Sequence, residues 1–141
     1  YTSFLPWEGK SKSSDFHPHS QPSYNIKLAI SNDLINWKRD YKSILEFREG
    51  EFIHGKPVLY DDKNKFELYF SVRGNSYRIG VASGTNIENL KRGMNLKFKF
   101  QEWISETQEY AFPILFNKTK YLFFNGNGYG RTGLGYTILK N

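Results

Sequence analysis

The sequence predicts an all-β fold made of β-propeller blades, each a four-stranded antiparallel sheet. Three observations carry this. Two kinds of segment recur at a spacing of about 54 residues. Apolar residues come in short runs of aromatic and β-branched types, and no stretch sustains the period of an amphipathic helix. Polar turn clusters separate those runs. Four strands in about 50 residues is the unit of a propeller blade.

The first recurring element is "NIKLAISNDLINWKRD" (25–40), "RIGVASGTNIENLKRG" (78–93) and "GLGYTILKN" (133–141). Aligning Ile26, Ile79 and Leu134 gives spacings of 53 and 55. Ala29 then falls on Ala82, Asn36 on Asn89, and Lys38-Arg39 on Lys91-Arg92. The second element is "KPVLYDDKNKFELYFSVRGN" (56–75) and "FPILFNKTKYLFFNGNGY" (112–129). Pro57 matches Pro113 at a spacing of 56, and "LYFS" matches "LFFN" at 54. Two elements repeating in phase are stronger evidence than either alone.

Each strand follows from these segments. "PVLY" and "PILF" read as first strands, and "DDKNK" and "NKTK" as the turns after them. "FELYFSV" and "KYLFFN" are second strands, and "YRIGVAS" and "GLGYTIL" are third strands. "INWKRD" is a short fourth strand after a Ser-Asn-Asp turn, with Asp33 serving the turn and Trp37 packing between blades. "NIENLKRG" has the composition of one helical turn. The chain divides into a part-blade (1–46), a full blade (51–104) and a last blade without its fourth strand (109–141). Propellers usually have 4–8 blades, so these residues are expected to be a portion of a larger ring.

Composition narrows the function classes. The 141 residues carry a formal charge of +6, 18% aromatic residues and no cysteine. Without cysteine there are no disulfides and no thiolate metal sites. The lysines are spread along the chain and form no dense block, which argues against nucleic acid as the partner. No run reaches 18 apolar residues, so no membrane span is expected. The opening "YTSFLPWEGK" has no signal-peptide pattern and no initiator Met, and a start part-way through a longer protein is expected. The compartment is left open. His17 and His19, with only Asp15 nearby, make a thin metal-ligand set, and a surface loop is the expectation.

Gly128, Gly130 and Gly133 spell G-x-G-x-x-G. A dinucleotide site needs a helix opening at that motif and an acidic residue about 20 positions on. Here strand formers follow and the residues end at Asn141. Gly-Lys-Ser/Thr is absent as well. The stretch "NGNGYGRTG" is expected to be a turn between two strands.

The segment "IKLAISNDLINWKR" resembles the "A-x-S-x-D-G-x-x-W" strand and turn of five-bladed β-propeller glycoside hydrolases, the superfamily that contains families 43, 32, 62 and 68. "GKPVLYDDKNKFELYFSVRGNSYRIGVA" is similar to their "P-x-V … Y-x-L-W-Y-S-x-R … Y-x-I-G-x-A" pattern. "EYAFPILFNKTKYLFFNGNGYGRTGLGYTIL" resembles the last blade of a bacterial subgroup ending in "Y-N-G-N-G-Y-G-x-T-G-x-G-x-A". The resemblance implies the C-terminal portion of a five-bladed propeller that acts on an oligo- or polysaccharide without a cofactor or metal. It also implies that the base or nucleophile Asp, which the superfamily carries in its first blade, lies outside this chain, so the isolated chain would be inactive. A non-catalytic carbohydrate-binding or polysaccharide-pathway propeller is the alternative. The open blade edges imply either self-association or missing N-terminal blades.

Strand direction alternates within a blade, so the start of strand 1, the end of strand 2 and the start of strand 3 share one end. This gathers His54, Arg73, Glu106, Glu109, Asn125, Asn127 and Arg131 on one face, with Tyr129 able to pack on a sugar ring. Glycoside hydrolysis usually needs two carboxyl groups. Glu109 is the acid candidate and Glu106 the second. His54, Arg73, Asn125, Asn127, Tyr129 and Arg131 are the substrate-binding candidates. Each has a plainer alternative. The asparagines suit turns, the arginines suit ion pairs, His54 suits a structural hydrogen bond, and the two acids suit an exposed strand entry.

Overall fold

A computed structural model describes residues 2–5, 23–63 and 65–139. His17 and His19 lie outside the described residues, as does most of the part-blade before residue 23. The chain is almost entirely β. Its strands are β1 (Thr2–Leu5), β2 (Ser23–Ile30), β3 (Lys38–Ser43), β4 (Ile53–Asp61), β5 (Phe66–Arg73), β6 (Tyr77–Gly84), β7 (Lys91–Arg92), β8 (Glu109–Phe116), β9 (Thr119–Asn125) and β10 (Leu134–Leu139).

β4 to β7 form a four-stranded antiparallel meander, and β8 to β10 a three-stranded one. β2 pairs antiparallel with β1 and with β3. It meets β4 at a single parallel bridge, Tyr24 to Ile53. These are consecutive blades packed face to face. β7 is short, but the chain continues beside β6: the N–H of Gly93 donates to Val81 O and that of Leu96 to Ile79 O.

The two-residue period of β5 explains the stacking. Leu68, Phe70 and Val72 point to one side, where they meet Ile26, Leu45 and Leu90. Tyr69 points to the other side, where it meets Ile79, Ala111, Leu122 and Phe124. A strand apolar on both faces is what a sheet sandwiched between two others requires. Phe70 pairs with Gly80 on β6. A Cβ at Gly80 would lie 2.6 Å from the Phe70 ring, so this contact depends on glycine. At the end of the blades away from β8's start, Lys120 pairs with Glu67 and lies 4.3 Å from the Tyr60 ring centre.

Several expectations are corrected. The fourth strand of the first repeat runs 38–43 and not 35–40. The Asp33 carboxylate accepts the N–H groups of Ile35 and Asn36, and Ser31 Oγ accepts that of Leu34, so those residues are held in a turn. Pro57 and Pro113 are not equivalent. Both first strands bulge, with two residues unpaired between Gly55 and Val58 and between Glu109 and Phe112. Lys56 and Tyr110 hold matching left-handed conformations, φ 50° and 56°. Pro57 therefore corresponds to Ala111, while Pro113 lies beyond the bulge on an edge strand that tolerates a missing N–H. Trp37 is half exposed and donates to Leu34 O, at the mouth of a groove between β2 and β4. The "NIENLKRG" segment does form one turn, a 3₁₀ helix at Ile87–Asn89 capped by Asn86. Among the described residues no helix is long and apolar enough to cross a membrane.

Candidate functional site

The rim of the last blade is built by two facing loops, 102–107 and 126–133. Asn125 ends β9, and the chain reverses through Gly126 to Gly133 into β10. The left-handed residues are Gly128, Tyr129, Gly130 and Gly133, with φ of 60°, 60°, 95° and 122°. Neither asparagine is among them. Asn127 turns inward and is buried. Its Oδ1 accepts the N–H groups of Glu106 (2.8 Å) and Thr107 (3.0 Å), and its Nδ2 donates to Glu102 O and Ser105 Oγ. Its amide is thus committed to holding the facing loop. Thr132 Oγ1 donates to Trp103 O, and the Gly128 N–H donates to Thr107 Oγ1. A Cβ at Gly126 would lie 2.2 Å from Trp103 O, so the two loops approach closely only because that position is glycine.

Glu109 opens β8 opposite Asn125, immediately before the bulge. It is 1% exposed, and among the described residues neither carboxyl oxygen has a hydrogen-bond partner of good geometry. Burial pushes its carboxyl above the usual carboxylate range. The nearby Thr107 hydroxyl, the Tyr129 N–H and the Arg73 charge oppose that only in part. The bulge turns the next residue, Tyr110, outward, and its N–H donates to Ser71 Oγ of the neighbouring blade (3.0 Å). Gln108 N–H to Tyr77 O, and Arg78 Nη1 to Glu106 O, complete the junction between blades.

Three tyrosines cover this junction. Tyr110 and Tyr129 stack at 6.2 Å with their planes 28° apart, and Tyr77 meets Tyr129 edge-on at 5.6 Å. Tyr129 is 55% and Tyr110 38% exposed. Burial and a hydrogen bond with Tyr129 push the Tyr77 hydroxyl up to about 12. Arg73 ends β5 with its guanidinium 5.2 Å from the Tyr77 ring centre and 5.5 Å from that of Phe52.

The remaining candidates divide. Asn125 joins the rim, its Nδ2 donating to Tyr129 O at 3.2 Å. Glu106 and Arg131 are both exposed and lie 3.8 Å apart, a weak surface pair. His54 is not with them. It is fully buried in the preceding blade between Phe47 and Phe70, with Nε2 3.0 Å from Glu51. Burial first of all holds His54 below its ordinary value. Burial also acts to raise Glu51, but hydrogen bonds from Arg92 and His54 outweigh it and hold the carboxyl low. A concavity of about 720 Å³ lies elsewhere, between β2 and β4, and is mainly apolar, lined by Ile26, Leu28, Trp37, Pro57, Leu59 and Leu68.

Sequence reasoning did not assign site roles to Tyr77 and Tyr110. Alternation would put Tyr110 on the face opposite Glu109, and only the left-handed bulge at φ 56° makes the pair serve one rim. The bulge leaves no trace in the repeat spacing, because both first strands carry it at positions 54 apart.

No protein-family model matches the chain. It is 28% identical over 145 residues to two uncharacterized proteins of Mycobacterium tuberculosis, MT1551 and Rv1502. The match takes in 100% of this chain and 46% of each relative, so the chain spans less than half the length of the curated relatives it matches. Among solved structures it is similar to a glycoside hydrolase, with a TM-score of 0.65 at 17% identity over 89% of this chain and 39% of that one. It is also similar to a solved BT0996 RGII complex, with a TM-score of 0.66 at 17% identity and the same coverage. At that identity the likeness establishes a shared fold: the chain folds like part of a glycoside hydrolase.

Proposed function

We propose that the chain contributes the last blades of a carbohydrate-active propeller, and that Glu109 is the proton donor of a glycosidic hydrolysis at its rim. One observation carries this reading: a buried carboxyl without good hydrogen-bond partners, raised by burial, beside exposed stacked tyrosines. A general acid must hold its proton near neutral pH, and enclosure in a poorly solvated site is the usual way to achieve that. The tyrosine faces suit the C–H face of a sugar ring. The carboxyl would protonate the leaving oxygen, and the second carboxylate would come from residues outside these 141.

The test is Glu109→Gln in the full-length protein. Turnover should fall by at least about 100-fold while saccharide binding is kept. Unchanged turnover removes Glu109 from the role. A second reading, binding without hydrolysis, is favoured by one observation: Glu106, the other rim acid, is exposed and paired with Arg131. A wild-type protein that binds saccharides and turns none over decides for that reading.

A further inference from the structure

We propose that the rim selects saccharides bearing a carboxylate, such as uronates, and that the Arg73 guanidinium is the group that reads it. The inference rests on the carbohydrate reading above and specifies its substrate class.

Of the five other arginines, Arg39 is exposed and four have acceptors within the chain. Arg48 donates to the carbonyls of Arg92 and Gly93, and Arg78 to those of Tyr77 and Glu106. Arg92 is bound by Glu51 and Asn95, and Arg131 faces Glu106. Arg73 differs. It is half-buried, it lies against two aromatic rings, its side-chain hydrogen bond goes to the Tyr77 hydroxyl, and among the described residues it makes no ion pair. Its place is fixed by the backbone, since Arg73 pairs with Ile53 on one side and Tyr77 on the other. A guanidinium in that setting has given up hydration and offers a rigid fork of donors that matches a carboxylate.

Among the described residues no carboxylate forms an ion pair with it. Glu109 feels the Arg73 charge, and burial raises its carboxyl above the ordinary range. Glu106 is engaged by Arg131 on the exposed side of the loop. The platform therefore presents a cation without an ion-pair partner over the Tyr77 ring, which itself meets Tyr129 edge-on. A sugar ring stacked there with a carboxylate toward Arg73 would satisfy both features. A neutral sugar would use the rings and leave the charge without a counter-ion.

The experiment measures binding to the full-length protein of galacturonate and glucuronate oligomers, of their methyl esters, and of neutral hexose oligomers. The ester keeps the ring and its hydroxyls and removes only the charge. The acids should bind at least about tenfold more tightly than their esters, the range expected for a charge-assisted hydrogen-bonded pair. Arg73→Gln should remove that preference. Arg73→Lys keeps the charge without the fork and should restore only part of it, which separates recognition from misfolding. Equal affinity for acid and ester overturns the inference and leaves the carbohydrate reading standing. A preference that survives in Arg73→Gln overturns the assignment to Arg73. Absence of binding to every probe, neutral hexoses included, overturns the carbohydrate reading as well.

Discussion

Glu109 is the residue on which most depends. A carboxyl raised above its ordinary value of 4.5 binds more protons in the folded chain than in the unfolded one. Stability must then fall as pH rises from that ordinary value through the folded one. Gln cannot ionise, so Glu109→Gln should match wild type at about pH 4 and exceed it increasingly toward pH 7 in thermal unfolding. Glu51 and His54 are shifted downward and pull wild type the other way in acid. They are present in both proteins, so the difference between the two melting curves isolates Glu109. A difference that stays flat with pH would mean that the carboxyl ionises freely.

The element that sets the site is the reversal from Gly126 to Gly133 together with the loop it grips. Asn127 carries four hydrogen bonds to that loop, and Gly126 allows the contact with Trp103. Gly126→Ala forces the two loops apart, because the clashing atom is backbone. It should destabilise the chain by about 1–3 kcal/mol in denaturant titration. It should also weaken saccharide binding, since Tyr129 rides on the same reversal. A variant with wild-type stability would show that the loops separate without cost. The bulge in β8 is the other deciding element: it brings Glu109 and Tyr110 to one rim although they are adjacent in a strand.

At the scale of the molecule, the last blade has one covered face and one open face. Leu122 and Phe124 pack into the preceding blade. On the other side Phe112, Phe123 and Tyr136 lie in register across the three strands, with Ile114, Tyr121 and Ile138 in the next row. Phe112, Tyr136, Ile114 and Ile138 are all exposed. An apolar sheet face and a β10 edge that is unpaired among the described residues favour association. The 141-residue chain by itself should therefore run above 16.6 kDa in light scattering at micromolar concentration. Phe112→Thr with Tyr136→Thr should shift it toward the monomer. A strictly monomeric wild-type chain would show that the face is tolerated in water.

The amino-acid sequence by itself determined the all-β class, the repeat of about 54 residues and the end of the blades where the candidates collect. Strand periodicity and turn chemistry are local, and a repeat of one unit reports one architecture wherever it occurs. Glu109, Asn125 and Tyr129 were legible in this way, because strand direction alone places them at one rim. Tertiary structure decided which of the candidates point where. His54 faces the core because the pleat directs it between Phe47 and Phe70. Asn127 is spent on the 102–107 loop, whose proximity no local pattern encodes. Tyr110 reaches the platform through a left-handed bulge, and Arg73 lies against the Tyr77 and Phe52 rings with no ion pair among the described residues. Such outcomes depend on contacts between residues distant in the chain, and a one-residue change of register reverses the face of every side chain after it.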